Sequence, residues 1–216
     1  NGAWGIHAGH LSAGSGPKDV AGEYAGFSSQ NVDLFGKRFT KKHELAAGFG
    51  FNRDVVYNYG SVADSNVFTE DYTRQKYNFY NTELGVKSFY ADSEAVNHNI
   101  RFGYQHFDNR LGVTEDRLLL NANASRYIRT ELVDATFGAD YNRVSGLGDT
   151  TNSTIIKFIP RFIAQGKKFA VSAGAGIFHE TDLDGATYFY PMFSAQYDIV
   201  NHIIIPYVSI TGGLDR

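Results

Sequence analysis

The sequence predicts an all-β protein: an antiparallel, up-and-down sheet of the transmembrane β-barrel type, with about eleven strands visible. Three observations predict it. Apolar residues recur with a period of two along nearly the whole chain, the predicted strands outrun those of ordinary soluble sheets, and the connections alternate between short and long. Composition agrees, since the 216 residues include 14 Tyr and 17 Phe against one Trp, one Met and 4 Pro. Aromatic side chains favour pleated, half-buried surfaces, and proline is confined to sheet edges and bulges.

The elements follow in order. Strands are predicted over 3–12, 22–38, 43–59, 76–90, 96–108, 116–128, 131–145, 153–165, 168–180, 186–199 and 202–213. In "HELAAGFGFNRDVVYNY" one face carries Leu45, Ala47, Phe49, Phe51, Val55 and Tyr57. The other carries Glu44, Ala46, Gly48, Gly50, Asn52 and Asp54. "LVDATFGADYNR" and "TIIKFIPRFIAQ" split the same way, with Val133, Phe137, Ile156, Phe158 and Phe162 against Asp134, Asp140, Lys157 and Arg161. A helix would scatter these charges around its cylinder, whereas a strand separates them. Many of the predicted strands reach the roughly 9 to 11 tilted residues that cross a bilayer.

The glycine-rich run "KKFAVSAGAGIF" belongs to this pattern. A phosphate-binding loop would follow a strand and open a helix. Here Phe169, Val171, Ala173, Ala175 and Ile177 fall on one face and Ala170, Ser172, Gly174 and Gly176 on the other. The glycines are expected to leave clearance for bulkier neighbours: Lys157, Arg161, Tyr188 and Tyr190.

The connections "TKK", "ADSEA", "RT", "GK" and "VN" are short. Those between them, "SAGSGPKDVA", "GSVADSNVFTEDYTRQ", "DNRLGVTE", "SGLGDTTN" and "TDLDG", are longer on the whole and rich in turn-forming residues. Strict alternation puts every short turn at one end of the sheet and every long loop at the other. Together with the aromatic strand ends "YNFYN" and "ATYFYP", this resembles a bacterial outer-membrane β-barrel, which has short periplasmic turns and longer external loops. The ending "IIIPYVSITGGLDR" faintly resembles TonB-dependent-receptor-like barrels of the Bacteroidetes group, although no plug domain is visible. The resemblance implies a cell outer membrane location, the lipid bilayer as partner, and a porin-like or transport role. A plug domain or a surface lipoprotein is a further partner that it leaves open.

An odd strand count sets a condition. Strands 1 and 11 run in the same direction, so joining them would make a parallel pair, while single-chain bacterial barrels are even-stranded and antiparallel throughout. The expectation is one barrel domain over 1–216, incomplete, and part of a larger even-stranded barrel.

Several function classes fall away. Net charge is −3, with both signs interspersed, so nothing points to nucleic acid. No cysteine is present, which removes disulfides and thiolate metal sites. No apolar run approaches the roughly 20 residues of a membrane helix. His7 and His10, three apart on a strand, face opposite sides, and His98 and His106 share a face about 26 Å apart. "ETDLDGA" mimics the opening of a calcium loop, but its twelfth position is Pro191 instead of the required Glu. "GSGPK" lacks the spacing of a phosphate loop, and no nucleophile elbow or zinc-protease motif occurs. Neither a cofactor nor a metal site is expected, and the chain is read as a non-enzyme.

The polar face is where function is expected. By register its charged residues are Glu44, Asp54, Glu83, Lys87, Arg101, Asp134, Asp140, Lys157, Arg161 and Asp198. They would line a water-filled lumen that selects solutes by size and field. Alternatively, Lys157 and Arg161 pair with carboxylates on neighbouring strands and stiffen a plugged or narrow barrel. Two further readings stand beside transport: a structural barrel whose external loops, 60–75 above all, meet a partner, and a soluble lipocalin-like barrel with its apolar face inward.

Overall fold

The structure is a computed structural model and describes residues 1–14, 26–57, 73–92, 94–146, 148–181, 185–200 and 203–214. Eleven strands form one sheet in strict sequence order. They are β1 (Gly2–Ala13), β2 (Phe27–Phe39), β3 (His43–Tyr57), β4 (Arg74–Ser88), β5 (Asn97–Asn109) and β6 (Thr114–Ile128), followed by β7 (Glu131–Gly146), β8 (Asp149–Gln165), β9 (Phe169–Glu180), β10 (Ala186–Tyr197) and β11 (Tyr207–Ile210). Every neighbouring pair is antiparallel. The sheet is open: β1 and β11 each have one strand neighbour.

Three predicted boundaries are corrected. The fourth strand covers Arg74–Ser88 instead of 76–90, because Phe89 and Tyr90 turn away into the link to β5. Asn97 accepts a hydrogen bond there from the Tyr90 amide at 2.8 Å. The eleventh strand is four residues long instead of twelve, and the tight "VN" turn before it is a wider excursion. Val200 and Ile204 form an isolated bridge, and Pro206 offers only its carbonyl, to Tyr197 N at 3.2 Å, since proline has no amide proton to extend the ladder. The second strand begins at Phe27. The predicted extension over 22–25, residues 58–59, most of loop 60–75 and the centre of "ETDLDGA" lie outside the described residues.

Register shows why the sheet has two unlike faces. One cross-strand row runs Leu45, Val86, Ile100, Ala122, Phe137, Phe158, Ile177 and Phe189 from β3 to β10, apolar at every position. The row one residue along points to the other face and runs Ala46, Gly85, Arg101, Asn121, Gly138, Lys157, Phe178 and Tyr188. A one-residue slip would exchange the two sets, so the alternation fixes the register. On β8 the apolar positions run from Ile156 to Ala164, about 26 Å along the strand at roughly 3.3 Å per residue.

This apolar band is exposed. Phe158 is 44% accessible and Trp4 82%, and among the described residues the buried hydrophobics are Val55, Ile155 and Phe178. Ile155 and Phe178 lie on the polar face. There the Phe178 ring meets Tyr190 edge-on at 5.6 Å, and Tyr190 stacks with Tyr188.

Candidate functional site

The polar face is built by strand alternation alone, and nine of the ten predicted charged residues sit on it in register: Glu44, Asp54, Glu83, Lys87, Arg101, Asp134, Asp140, Lys157 and Arg161. Asp198 follows the end of β10 and is held by its backbone, whose amide donates to the Lys168 carbonyl at 2.7 Å.

The structure gathers the charges into a cluster across β6, β7 and β8. Arg161 donates from Nε and Nη2 to Asp134 Oδ1 at 3.0 and 2.7 Å, and Asn123 donates to Asp134 Oδ2 at 2.6 Å. One β7 carboxylate is therefore gripped from both flanking strands. Asp134 is buried while the Arg161 side chain is 43% exposed, so solvent screens the pair from one side. Arg117 on β6 makes a two-pronged contact with Asp140, at 3.0 and 2.6 Å. That geometry matches the planar guanidinium to the carboxylate.

Glycines make room for the cations. Lys157 lies across Gly138, its register partner on β7, and a Cβ at Gly138 would come within 2.8 Å of Lys157 Cγ. Lys157 has no ion pair among the described residues. Arg161 lies beside Gly174 in the same way, 2.8 Å from where a Cβ would stand. A cavity of about 150 Å³ opens here between Arg117, Asn121, Asp140, Ile155, Lys157 and Leu214.

Leu214 reaches this cavity because the segment after β11 crosses the polar face. Gly212 packs against the Tyr190 ring, where a Cβ would come within 2.7 Å, and a Cβ at Gly213 would stand 3.8 Å from the Phe178 ring. Gly212–Leu214 carry no regular secondary structure and fold over β8 to β10.

Nearer the loop end is a second hollow of about 690 Å³, lined by Asp54, Phe79, Asn81, Gln105, Phe107 and Glu115. Phe79 and Phe107 form its aromatic wall, with ring centres 4.9 Å apart, and Tyr77 stacks on Phe107 at 6.2 Å. Asp54 accepts from Asn52 at 3.0 Å. The remaining predicted residues are dispersed. Glu44 pairs with Lys37 on β2 at 3.0 Å, Lys87 stands 5.1 Å over the Phe89 ring, Glu83 lies in register between Gly48 and Gly103, and Arg101 between Gly85 and Asn121.

Arg117 and Glu115 are polar-face residues that the sequence pattern did not single out, although they share parity with Asn121 and Asn123. The opposite face bears a polar group at its loop end. Tyr104 Oη donates to Asp116 at 2.7 Å, and His106 Nδ1 lies 2.7 Å from the same oxygen. His98 stands at the other end beside His43 and Tyr90, with ring centres 5.7 and 6.3 Å away. The predicted separation of the two histidines follows from these positions, as does the opposite facing of His7 and His10 on β1.

Comparison with known proteins adds no identity: no family model and no curated protein sequence matches this chain.

Proposed function

We propose that the chain forms part of the wall of an outer-membrane β-barrel, its apolar face toward lipid and its charged face toward an aqueous interior through which small polar solutes pass. The observation that carries this reading is the cross-strand row from Leu45 to Phe189, eight apolar positions in register and exposed to about 40% at Phe137, Phe158 and Ile177. Soluble monomers rarely expose contiguous apolar patches beyond a few hundred Å². The length of the band suits the roughly 25 Å apolar belt of membrane barrels. The open edges of β1 and β11 call for an odd number of further strands, because lipid cannot satisfy unpaired backbone groups.

Solute passage would use the polar face. The aromatic hollow at Phe79 and Phe107 offers an apolar wall ringed by Asp54, Asn81, Gln105 and Glu115. The cluster around Lys157 sits deeper, where an unpaired cation would set the field felt by a passing ion. A second reading has its own support: the ion pairs of Asp134 and Asp140 and the segment Gly212–Leu214 occupy part of the same face, as a plugged structural barrel would require.

Flotation with zwitterionic liposomes tests the membrane assignment. The chain should require detergent and co-float with lipid. Monodisperse behaviour in buffer without detergent would replace this reading with the soluble lipocalin-like one. Planar-bilayer recordings then separate the two membrane readings: discrete conductance supports solute passage, and silence at both polarities supports the plugged wall.

A further inference from the structure

We propose that the apolar face carries an anion site at its loop end, built by Arg53 on β3 and Arg74 on β4, that takes the phosphate of a lipid headgroup. The site is a cleft of about 380 Å³ whose lining includes Ser12, Ser28, Gln30, Arg53, Tyr57 and Arg74. By register all six fall on the same side of the sheet as Phe49 and Leu84. The Nε groups of Arg53 and Arg74 are both buried and lack any hydrogen-bond partner. A buried guanidinium N–H without an acceptor is costly, and native structures seldom leave one so.

The chemistry of the cleft narrows what would satisfy them. Among the described residues that line it, Arg53 and Arg74 are the charged ones and none is a carboxylate. Lys76 is the register partner of Val55, a lining residue, and Arg110 closes in from the next connection, donating from Nη1 to the Arg74 carbonyl at 3.0 Å. The hydroxyls of Ser12 and Ser28 and the amide of Gln30 add neutral donors. Guanidinium edges take tetrahedral oxyanions with two parallel hydrogen bonds, and phosphate is the biological oxyanion that this donor set fits best.

Position selects the source of the phosphate, and here the inference rests on the membrane reading above. Along β3 the unbroken apolar run from Leu45 to Phe51 is interrupted on that face by Arg53, about 7 Å past Phe51 at roughly 3.3 Å per residue, before Val55 and Tyr57. Arg74 pairs with Tyr57, beyond Arg53. The cleft thus stands just above the apolar band, at the height of headgroup phosphates, and it opens toward the side that would face lipid. Basic clusters at that level recognise anionic lipids.

The test uses the full chain in a non-ionic detergent, titrated with mixed micelles containing phosphatidic acid, with neutral diacylglycerol micelles and with inorganic phosphate. The wild-type chain should bind phosphatidic acid micelles, ignore diacylglycerol, and bind inorganic phosphate at least about tenfold more weakly. The Arg53→Gln/Arg74→Gln double variant should lose about tenfold or more of the phosphatidic acid affinity. Arg126→Gln, on the same face near the short-turn end, should lose none. Retained β-sheet circular dichroism in the double variant excludes unfolding as the cause.

Unchanged binding by the double variant, or equal binding of diacylglycerol, overturns the site. Inorganic phosphate binding as tightly as the micelles overturns the lipid source. Flotation with purely zwitterionic liposomes is independent of headgroup charge. Failure of the membrane reading would therefore show there, and failure of the anion site would show only in the titrations.

Discussion

The glycines of β3 and those of β7 and β9 occupy equivalent positions on the same face, yet their surroundings differ. At Gly48 an added Cβ would meet nothing closer than the Leu34 carbonyl at 3.8 Å, and at Gly50 the nearest atom is an Asp33 carboxylate oxygen at 3.1 Å. At Gly138, Gly174 and Gly176 the space is taken by Lys157, by Arg161 with the Pro160 carbonyl, and by the Phe178 ring. The same residue type therefore leaves an open wall in one sector and receives a neighbour's side chain in the other. The difference lies in the register partner: Gly48 faces Phe35 and Glu83 across the ladder, whereas Gly138 faces Lys157 and Gly174 faces Arg161.

Substitutions separate the two sectors, beginning with those of largest expected effect. On the apolar face the two sectors should behave alike. Phe158→Arg and Phe49→Arg should each cost about 2–4 kcal/mol if that face meets lipid, read from denaturant unfolding in liposomes. A cost near zero at both would sink the lipid assignment. On the polar face the sectors should diverge. Asp134→Ala removes the acceptor of Arg161 and Asn123 and should destabilise by about 2 kcal/mol, short of a fully buried pair because Arg161 is partly solvated. Asp54→Ala, whose one described partner is Asn52, should change stability by less than about 0.5 kcal/mol. Equal losses would erase the distinction.

The glycine pair is the direct test. Gly174→Ala forces a Cβ to within 2.6 Å of the Pro160 carbonyl, a backbone atom that cannot swing aside, and should cost about 1–3 kcal/mol. Gly48→Ala meets open space and should fall within about 0.5 kcal/mol of wild type, since glycine in a strand has little to lose. The smallest stability change is expected for Lys157→Gln, whose readout is electrical. If the interior conducts, removing this cation should shift the reversal potential in a salt gradient toward cation preference, and an unchanged potential would place the conducting path elsewhere.

Much of this was legible in the chain. Strand number, direction and face follow from a period of two, and β3, β7 and β9 needed no tertiary information over 45–52, 133–142 and 169–177, where the large apolar residues keep one parity and the polar residues and glycines the other. The prediction failed where local chemistry overruled alternation. The hydrophobic run Ile203–Ile205 reads as strand, yet Pro206 withholds an amide and shortens β11 to four residues. Tyr90 continues the pattern of β4, yet Asn97 captures its amide. Arg117 escaped notice because Asp116 beside it belongs to the other face and its partner, Asp140, is 23 residues away.

Alternation settles which side chains share a face, because a pleated strand sends successive Cβ atoms to opposite sides whatever surrounds it. It determined nine charged residues on one surface and an apolar row on the other before any contact was known. Which of those charges pair, which glycine is filled, where Gly212–Leu214 come to lie and which arginine nitrogens stay orphaned were decided only by the sheet as a whole. Those outcomes depend on register between strands and on side chains reaching across it, distances that no single strand's sequence contains.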